Sequence, residues 1–400
     1  MYLAEGIELK SDYKTNQNVV VIGSPGTGKT RGHVVPGIMS ATGSMVVLDP
    51  KGELYDMTND MMASLGYKVR CLNVEEPFNT SSFYNPLVYI RSGINMGDDI
   101  IKITNVLVSD LRRHSIDVFW ANTAQLLANA IIGYLVESAE KEERTFENML
   151  RMIRLIECTT DKSSLDILME EWGKTHKSSF AVEQYELFKT VAASEKTYAS
   201  IVISLVSTLG ECMTKGMCYL TGHNTIDFDE LGTRETIIYI RSSDTDRSKD
   251  KIIEMFFHQA FIELCRIADS KKKHCLDMHV HFFLDDFGTN LKIANFDNYI
   301  AGMRSREMSC SIILQSESQL KKMFAESWST IMASCQSYVF LGSNDLDTCR
   351  NISERVNRPL DEILYKEYDD VYLFAQGEKP KKCKRYDIKK DVKYHMLHEL

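Results

Sequence analysis

A chain of 400 residues that is 44% apolar and 10% aromatic has material for a sizeable core and for two or three folded units, which excludes a low-complexity or largely solvated protein. A formal net charge of -9 excludes a protein that coats DNA over its whole surface, because such binding rests on many Lys and Arg contacts to phosphate, while a locally basic channel or cleft remains allowed. The ten cysteines contain no C-x-x-C pair, their close spacings (Cys212 and Cys218, Cys265 and Cys275) lack the partners of a zinc site, and no apolar run approaches about eighteen residues, so they read as reduced thiols of a cytosolic protein with no membrane span of its own.

In chain order, MYLAEGIELKSDYKTNQ is polar and turn-rich, and residues 18–22 predict a short buried strand. Gly23-Ser24-Pro25-Gly26-Thr27-Gly28-Lys29-Thr30 follows at once and fits G-x-x-x-x-G-K-[ST] with no mismatch. Glycines there let the backbone curl until several N–H groups point inward, and with the dipole of the next helix they hold a di- or triphosphate. Lys29 reaches the β/γ-phosphates, and Thr30 offers its hydroxyl to Mg2+. A Gly-rich hairpin turn is the plain alternative, but it gives no reason for a lysine followed by threonine.

Residues 44–49 form a second apolar run of the kind a parallel sheet buries on both faces, Asp49-Pro50-Lys51-Gly52-Glu53 turns the chain into a helix ending near Gly66, and residues 68–74 predict a third strand. This strand–helix–strand–helix–strand order is the signature of a parallel sheet with right-handed crossovers. Asn85-Pro86 then forces an extended or turn conformation. From 98 to 221 only helical periodicities appear, as in Phe119, Ala124, Leu127, Ala128, Ile131 and Leu135, with Thr145 ahead of Glu147 as a helix start and a further helix over 194–213. An all-α block of that length reads as a domain, 98–221, inserted into a discontinuous α/β domain made of 1–97 and 222–400; helices that merely layer the sheet are the alternative. Strands return at 236–242, 279–284, 310–316, 337–343 and 371–377, bringing the expected total to eight, with a long amphipathic helix over 248–268. The basic stretch 379–393 reads as a solvated tail or as a nucleic-acid or partner contact.

A phosphate loop needs a metal-holding acid and a group that activates water at the carboxyl ends of neighbouring strands. The run ending in Leu284 delivers Asp285 to hold Mg2+, through water or the Thr30 hydroxyl, and Asp286 to polarise the attacking water, although two acids after a strand also serve as a plain turn or cap. Gln315, ending the next strand, is placed to bond the γ-phosphate or the lytic water. Arg304 and Arg306 lie where a ring-shaped ATPase can present arginines to the next subunit's nucleotide, and a solvated helix end accounts for them equally well. Asp49, on a strand expected to lie beside the first, is a candidate to touch metal or nucleotide, with Lys51 as charge partner. His279 and His281 read as core or interface histidines rather than metal ligands.

DPKGE after the phosphate-loop unit, GYKVRCLNV, the serine and YNPL run at residues 81–87, Phe119-Trp120, LDDFG and ILQSESQL together resemble the type IV coupling proteins, the ATPases of conjugation and type IV secretion, over nearly the whole chain. The resemblance implies a RecA-like P-loop nucleotide-binding domain with a mainly parallel sheet, an inserted all-α domain, Mg2+ and ATP as ligands, and a homohexamer around a central channel. It implies that the all-α domain recruits a relaxase bound to single-stranded DNA, and that hydrolysis moves this substrate into a channel of type IV secretion proteins. It also implies a place at the inner face of the cell membrane, held by an N-terminal anchor or a separate membrane partner. On the family pattern residues 23–30 are the Walker A loop, Asp285 and Asp286 the Walker B pair and Gln315 the glutamine motif; the family usually carries Glu where this chain has Asp286. A nucleotide-dependent recruiting scaffold with weak hydrolysis and a related double-stranded DNA translocase are the alternatives.

Overall fold

The chain enters through a small antiparallel hairpin, β1 (Tyr2–Ala4) and β2 (Ile7–Glu8), which the polar composition of this stretch conceals; it turns at Gly6, whose φ of 70° a side chain resists. The computed structural model describes residues 1–9, 16–114, 118–156, 162–192, 194–288 and 291–397, so residues 10–15 of the polar leader lie outside the described residues. All eight expected strands form: β3 (Val19–Gly23), β4 (Ser44–Asp49), β5 (Lys68–Asn73), β6 (Thr236–Arg241), β7 (Val280–Leu284), β8 (Met308–Leu314), β9 (Ser337–Gly342) and β10 (Asp370–Ala375). A ninth, β11 (Lys381–Lys384), completes one sheet in the order β11-β10-β9-β3-β8-β7-β4-β6-β5.

From β9 to β5 every pairing is parallel, and β10 and β11 run antiparallel at one edge. The strands are apolar on both faces because both are covered. Val19, Val21, Met45, Val47, Ile237, Tyr239, Val339 and Leu341 point to one face, with Ile38, Leu54, Met61 and Met62 from the following helices packed over them. The other face carries Phe282, whose ring lies 4.5 Å from that of Phe261 on the helix Asp250–Ser270.

One expectation fails here and another holds in part. Asp49 was expected on a strand beside the first, yet β8 and β7 stand between β3 and β4, because the crossover chooses its partner by packing and not by sequence order. The basic stretch 379–393 is solvated along most of its length, as expected, but it is not an unstructured tail: β11 pairs in register with β10, Asp370 opposite Lys384. Although burial pushes the carboxyl of Asp370 up, hydrogen bonds from Lys382 and Lys384, each at 2.7 Å, hold it below the ordinary range. Alternating lysines are a strand's solvent edge, and a charged edge also resists pairing with another sheet.

The chain divides into two compact units. The first, Met1–Glu75, Asp227–Arg247 and Phe257–Leu400, holds the sheet. The second, Glu76–Ile226 and Ser248–Phe256, holds helices and no strand among its described residues; the expected insertion, 98–221, falls within it. Its axis is Val118–Ser138, buried along Ala124, Leu127, Ala128, Ile131 and Leu135, with Gly133 leaving room for Phe180 and Ala181 of the helix Phe180–Val191. Thr145 does cap its helix, accepting the Asn148 N–H at 3.2 Å. The unit starts as early as Glu76 because Tyr84, Asn85 and Leu87 are buried in it: Tyr84 donates to the Met255 carbonyl, and Asn85 to that of Arg144.

Candidate functional site

β3 ends under a loop that crosses the carboxyl edge of the sheet. Gly26 and Gly28 adopt φ of 79° and 80°, the left-handed region that a side chain opposes, and a Cβ at Gly23 would collide with the Thr27 hydroxyl folded over it. Ser24 donates its N–H to Gly342 of β9 at 2.8 Å, and the Thr27 hydroxyl donates to the Ser24 carbonyl at 2.8 Å, so the curl is tied to the sheet and to itself. The next turn, Thr30–Val34, is π-helical, and the α-helix Val35–Ser40 has Pro36 in its first turn; proline has no N–H to continue the i→i−4 ladder back through Gly32, which relaxes the turn before it.

Lys29 is only 8% exposed, and its ammonium reaches back to the Ser24 carbonyl at 3.4 Å. Burial pulls its pKa down, and the facing carboxylates of Asp286 and Asp285 partly restore it. The Thr30 hydroxyl donates to Oδ2 of Asp285 at 3.0 Å, joining two residues that lie 255 positions apart in the chain. Asp285 is buried, and that burial, followed by the charge of Asp286, raises its carboxyl to about 7; the bonds from Thr30 and from the Asp286 N–H work the other way. Asp286 sits in left-handed backbone, φ 44°, which turns the chain away from β7 until the Phe287 N–H meets Ile313 of β8. A hydroxyl, an ammonium and two carboxylates converge on the loop. That donor set suits a magnesium-bound polyphosphate, with the loop and Lys29 toward phosphate oxygens and Thr30 and Asp285 toward the ion.

Gln315 follows the last residue of β8 at the same edge. Its N–H donates to Oε1 of Gln319 at 2.8 Å and its carbonyl accepts from Ser343 at 3.1 Å; Gln319, overlooked in the sequence, also fills the space a Cβ on Gly288 would need. Asp49 is 1% exposed and turned inward, accepting the Tyr55 N–H at 2.9 Å at the start of the helix Glu53–Ser64. Burial raises its carboxyl to about 6 against the pull of the Tyr55 and Leu54 N–H groups. Lys51 is exposed, 3.9 Å from Asp244, and near enough to Lys29 to oppose its charge. Arg304 and Arg306 sit in the turn just before β8, at the opposite end of the parallel strands from the loop; Arg304 is exposed, and Arg306 makes a two-point ion pair with Asp269 at 2.9 and 3.0 Å.

Two residues with no motif around them join the site from the end of the chain. Arg385 donates to the Thr27 carbonyl at 3.0 Å and to Asp369 at 2.8 Å, with its guanidinium carbon 4.0 Å from the ring centre of Tyr368. The histidines form a ladder between β7, β8 and the post-loop helix. His279 Nε2 pairs with Ser309 at 2.7 Å, His281 bridges Ser309 and Ser311 at 2.6 and 2.9 Å, and His33 Nε2 meets Ser311 at 3.0 Å. No single helix among the described residues is long and apolar enough to cross a membrane.

Residues 4–358 match the family described as type IV secretory system conjugative DNA transfer. Among known proteins, the type IV secretion system-coupling protein VirD4 of Bartonella quintana is 22% identical over 365 residues, 88% of this chain and 54% of the relative. The probable conjugal transfer protein TraG of Sinorhizobium fredii is 22% identical over 415 residues, 93% of this chain and 62% of the relative. The chain thus spans between half and two thirds of those relatives. The solved bacterial conjugative coupling protein TrwBdeltaN70, in complex with sulphate, shares the fold at a TM-score of 0.68 and 16% identity over 92% of this chain and 85% of that one. Plasmid coupling protein TrwB in complex with ADP and Mg2+ does so at 0.67 and 17%, over 92% and 85%.

Proposed function

We propose, from the premise that this chain belongs to the type IV secretory system conjugative DNA transfer family, that it is an ATP-driven coupling protein which recruits a relaxase–DNA complex and passes it to a type IV secretion channel. The observation that carries the nucleotide part is the 3.0 Å bond between Thr30 and Asp285, which brings the loop and the acids of the LDDFG stretch into one site. Backbone N–H groups of the loop other than those of Ser24 and Thr27, which bond carbonyls, and the Lys29 ammonium hold the β- and γ-phosphates. Thr30 and Asp285 would hold Mg2+, which when bound would offset phosphate charge at the terminal phosphoryl group. Asp286 takes up the water proton, and Gln315 bonds the water or the γ-phosphate and passes its state to β9 through Ser343. Asp49 acts at one remove, fixing the turn that carries Lys51 into range of Lys29. Arg304 and Arg306 lie a strand's length from their own loop, so a finger role for them belongs to a homohexamer in which they face a neighbour's nucleotide. The all-α block 98–221 does the recruiting, at the inner face of the membrane.

Purified protein hydrolyses Mg-ATP with stimulation by single-stranded DNA, and Lys29→Ala lowers turnover at least about a hundredfold. Turnover unchanged by that substitution removes the assignment. A second reading, a nucleotide-dependent recruiting scaffold, is favoured by one residue: Asp286, with its short side chain on left-handed backbone.

A further inference from the structure

Beside the phosphate loop the sheet unit contains a cavity of about 620 Å³, a volume in the range of small-molecule sites. Its lining includes Gly28, Arg31 and Gly32 from the loop and first turn, and Tyr368, Arg385 and Tyr386 from the two ends of the antiparallel edge. Sheet order explains the meeting. β10 runs against β9, so it starts at the edge where β3 ends; β11 runs against β10, so it finishes there, and Tyr368 just before one and Arg385 just after the other emerge at the loop. Asp285 reaches the same loop from the other side, through β7 and β8.

We infer that this cavity is the nucleoside subsite of the nucleotide site, with the Tyr368–Arg385 stack as the wall that takes the purine base. The inference rests on reading residues 23–30 as a phosphate loop. A triphosphate whose last phosphate faces Thr30 and Asp285 leads its nucleoside back over Gly28 and the first turn, toward β10 and β11. The chain clears that path with glycine: a Cβ on Gly28 would collide with Arg385 Nη1, and one on Gly32 would come within 2.9 Å of its Cδ. Arg385 is fixed by the Thr27 carbonyl and the Asp369 carboxylate and sits over the ring of Tyr368, a residue that is 57% exposed. A guanidinium stacked on a phenol offers a flat, polarisable surface to an aromatic base, and its charge sits beside the loop where an α-phosphate would lie.

Calorimetric titration of the full chain with Mg-ADP and, separately, with magnesium tripolyphosphate, which has the phosphates and no nucleoside, separates this subsite from the loop. In Tyr368→Ala, affinity for ADP falls about tenfold or more while affinity for tripolyphosphate stays within about twofold, and Tyr368→Phe keeps both. Unchanged ADP affinity in Tyr368→Ala, or an equal loss for both ligands, overturns the inference. Wild-type protein that binds tripolyphosphate as tightly as ADP overturns it alone, and wild-type protein that binds neither overturns the phosphate loop along with it.

Discussion

Acid is expected to weaken the sheet unit through His33. The side chain is 1% exposed, and burial, aided by the nearby amine of Met1, lowers its pKa from 6.5 to about 4. A depressed histidine refuses in the folded state a proton that the unfolded chain accepts, so its contribution is intact above about pH 6.5 and is lost as the pH falls toward 4. The whole gap amounts to about 3 kcal/mol, of which the stretch between pH 6.5 and 5 carries about 2 kcal/mol. His281 is pushed the same way by burial and by its neighbours His279 and His33. Asp49 and Asp285, raised to about 6 and about 7, titrate across the same window with the opposite sign, so the wild-type slope alone is a mixture. The readout is therefore a difference: urea unfolding followed by circular dichroism at pH 7.5 and pH 5.0, for wild type and for His33→Gln, whose amide still meets Ser311. Wild type should lose about 2 kcal/mol more than the variant over this interval. An equal loss in the two proteins refutes the reasoning.

Asp286→Glu lengthens the acid by one methylene at φ 44°, a backbone that suits Asp better than Glu. If Asp286 already serves as the base, ATP turnover of the variant stays within about tenfold of wild type; a gain of about a hundredfold or more moves the chain to the scaffold reading. Asn18 is fully buried, accepts the Cys310 N–H at 2.9 Å and donates to the carbonyls of Ile300 and Ser334 at 3.2 and 3.0 Å. Asn18→Ala leaves those groups without it and should cost about 2–4 kcal/mol, seen as a drop of roughly 4–12 °C in thermal unfolding.

Strands were legible where burial on both faces made an apolar run, unbroken at Val19–Gly23 and interrupted only by His281 at Val280–Leu284. That the loop motif and the two acids would meet was legible, because a phosphate and metal site would call for those residue types at those spacings. Order within the sheet was not, since nothing in residues 44–49 encodes that β7 and β8 separate them from β3. β11 was hidden by its lysines, which compensate Asp370 and so look like a solvated run until the partner strand is known. Gln319, Tyr368 and Arg385 carry no local signature: each matters through what the fold brings to it from at least four positions away.

The place of β3 between β8 and β9 also sets when this protein can first work. A ribosome releases the loop early, but its tie to Gly342 and its acid at Asp285 come from the later part of the chain. At ~5–20 residues per second, the interval between Gly23 and Met308, where β8 begins, lasts on the order of 15–60 s, during which β3 has neither neighbour and both its edges can pair with other chains. Nascent chains are thus most exposed to misassociation before β8 emerges, and a product truncated ahead of it carries an intact loop motif on a strand that has nothing to hold it.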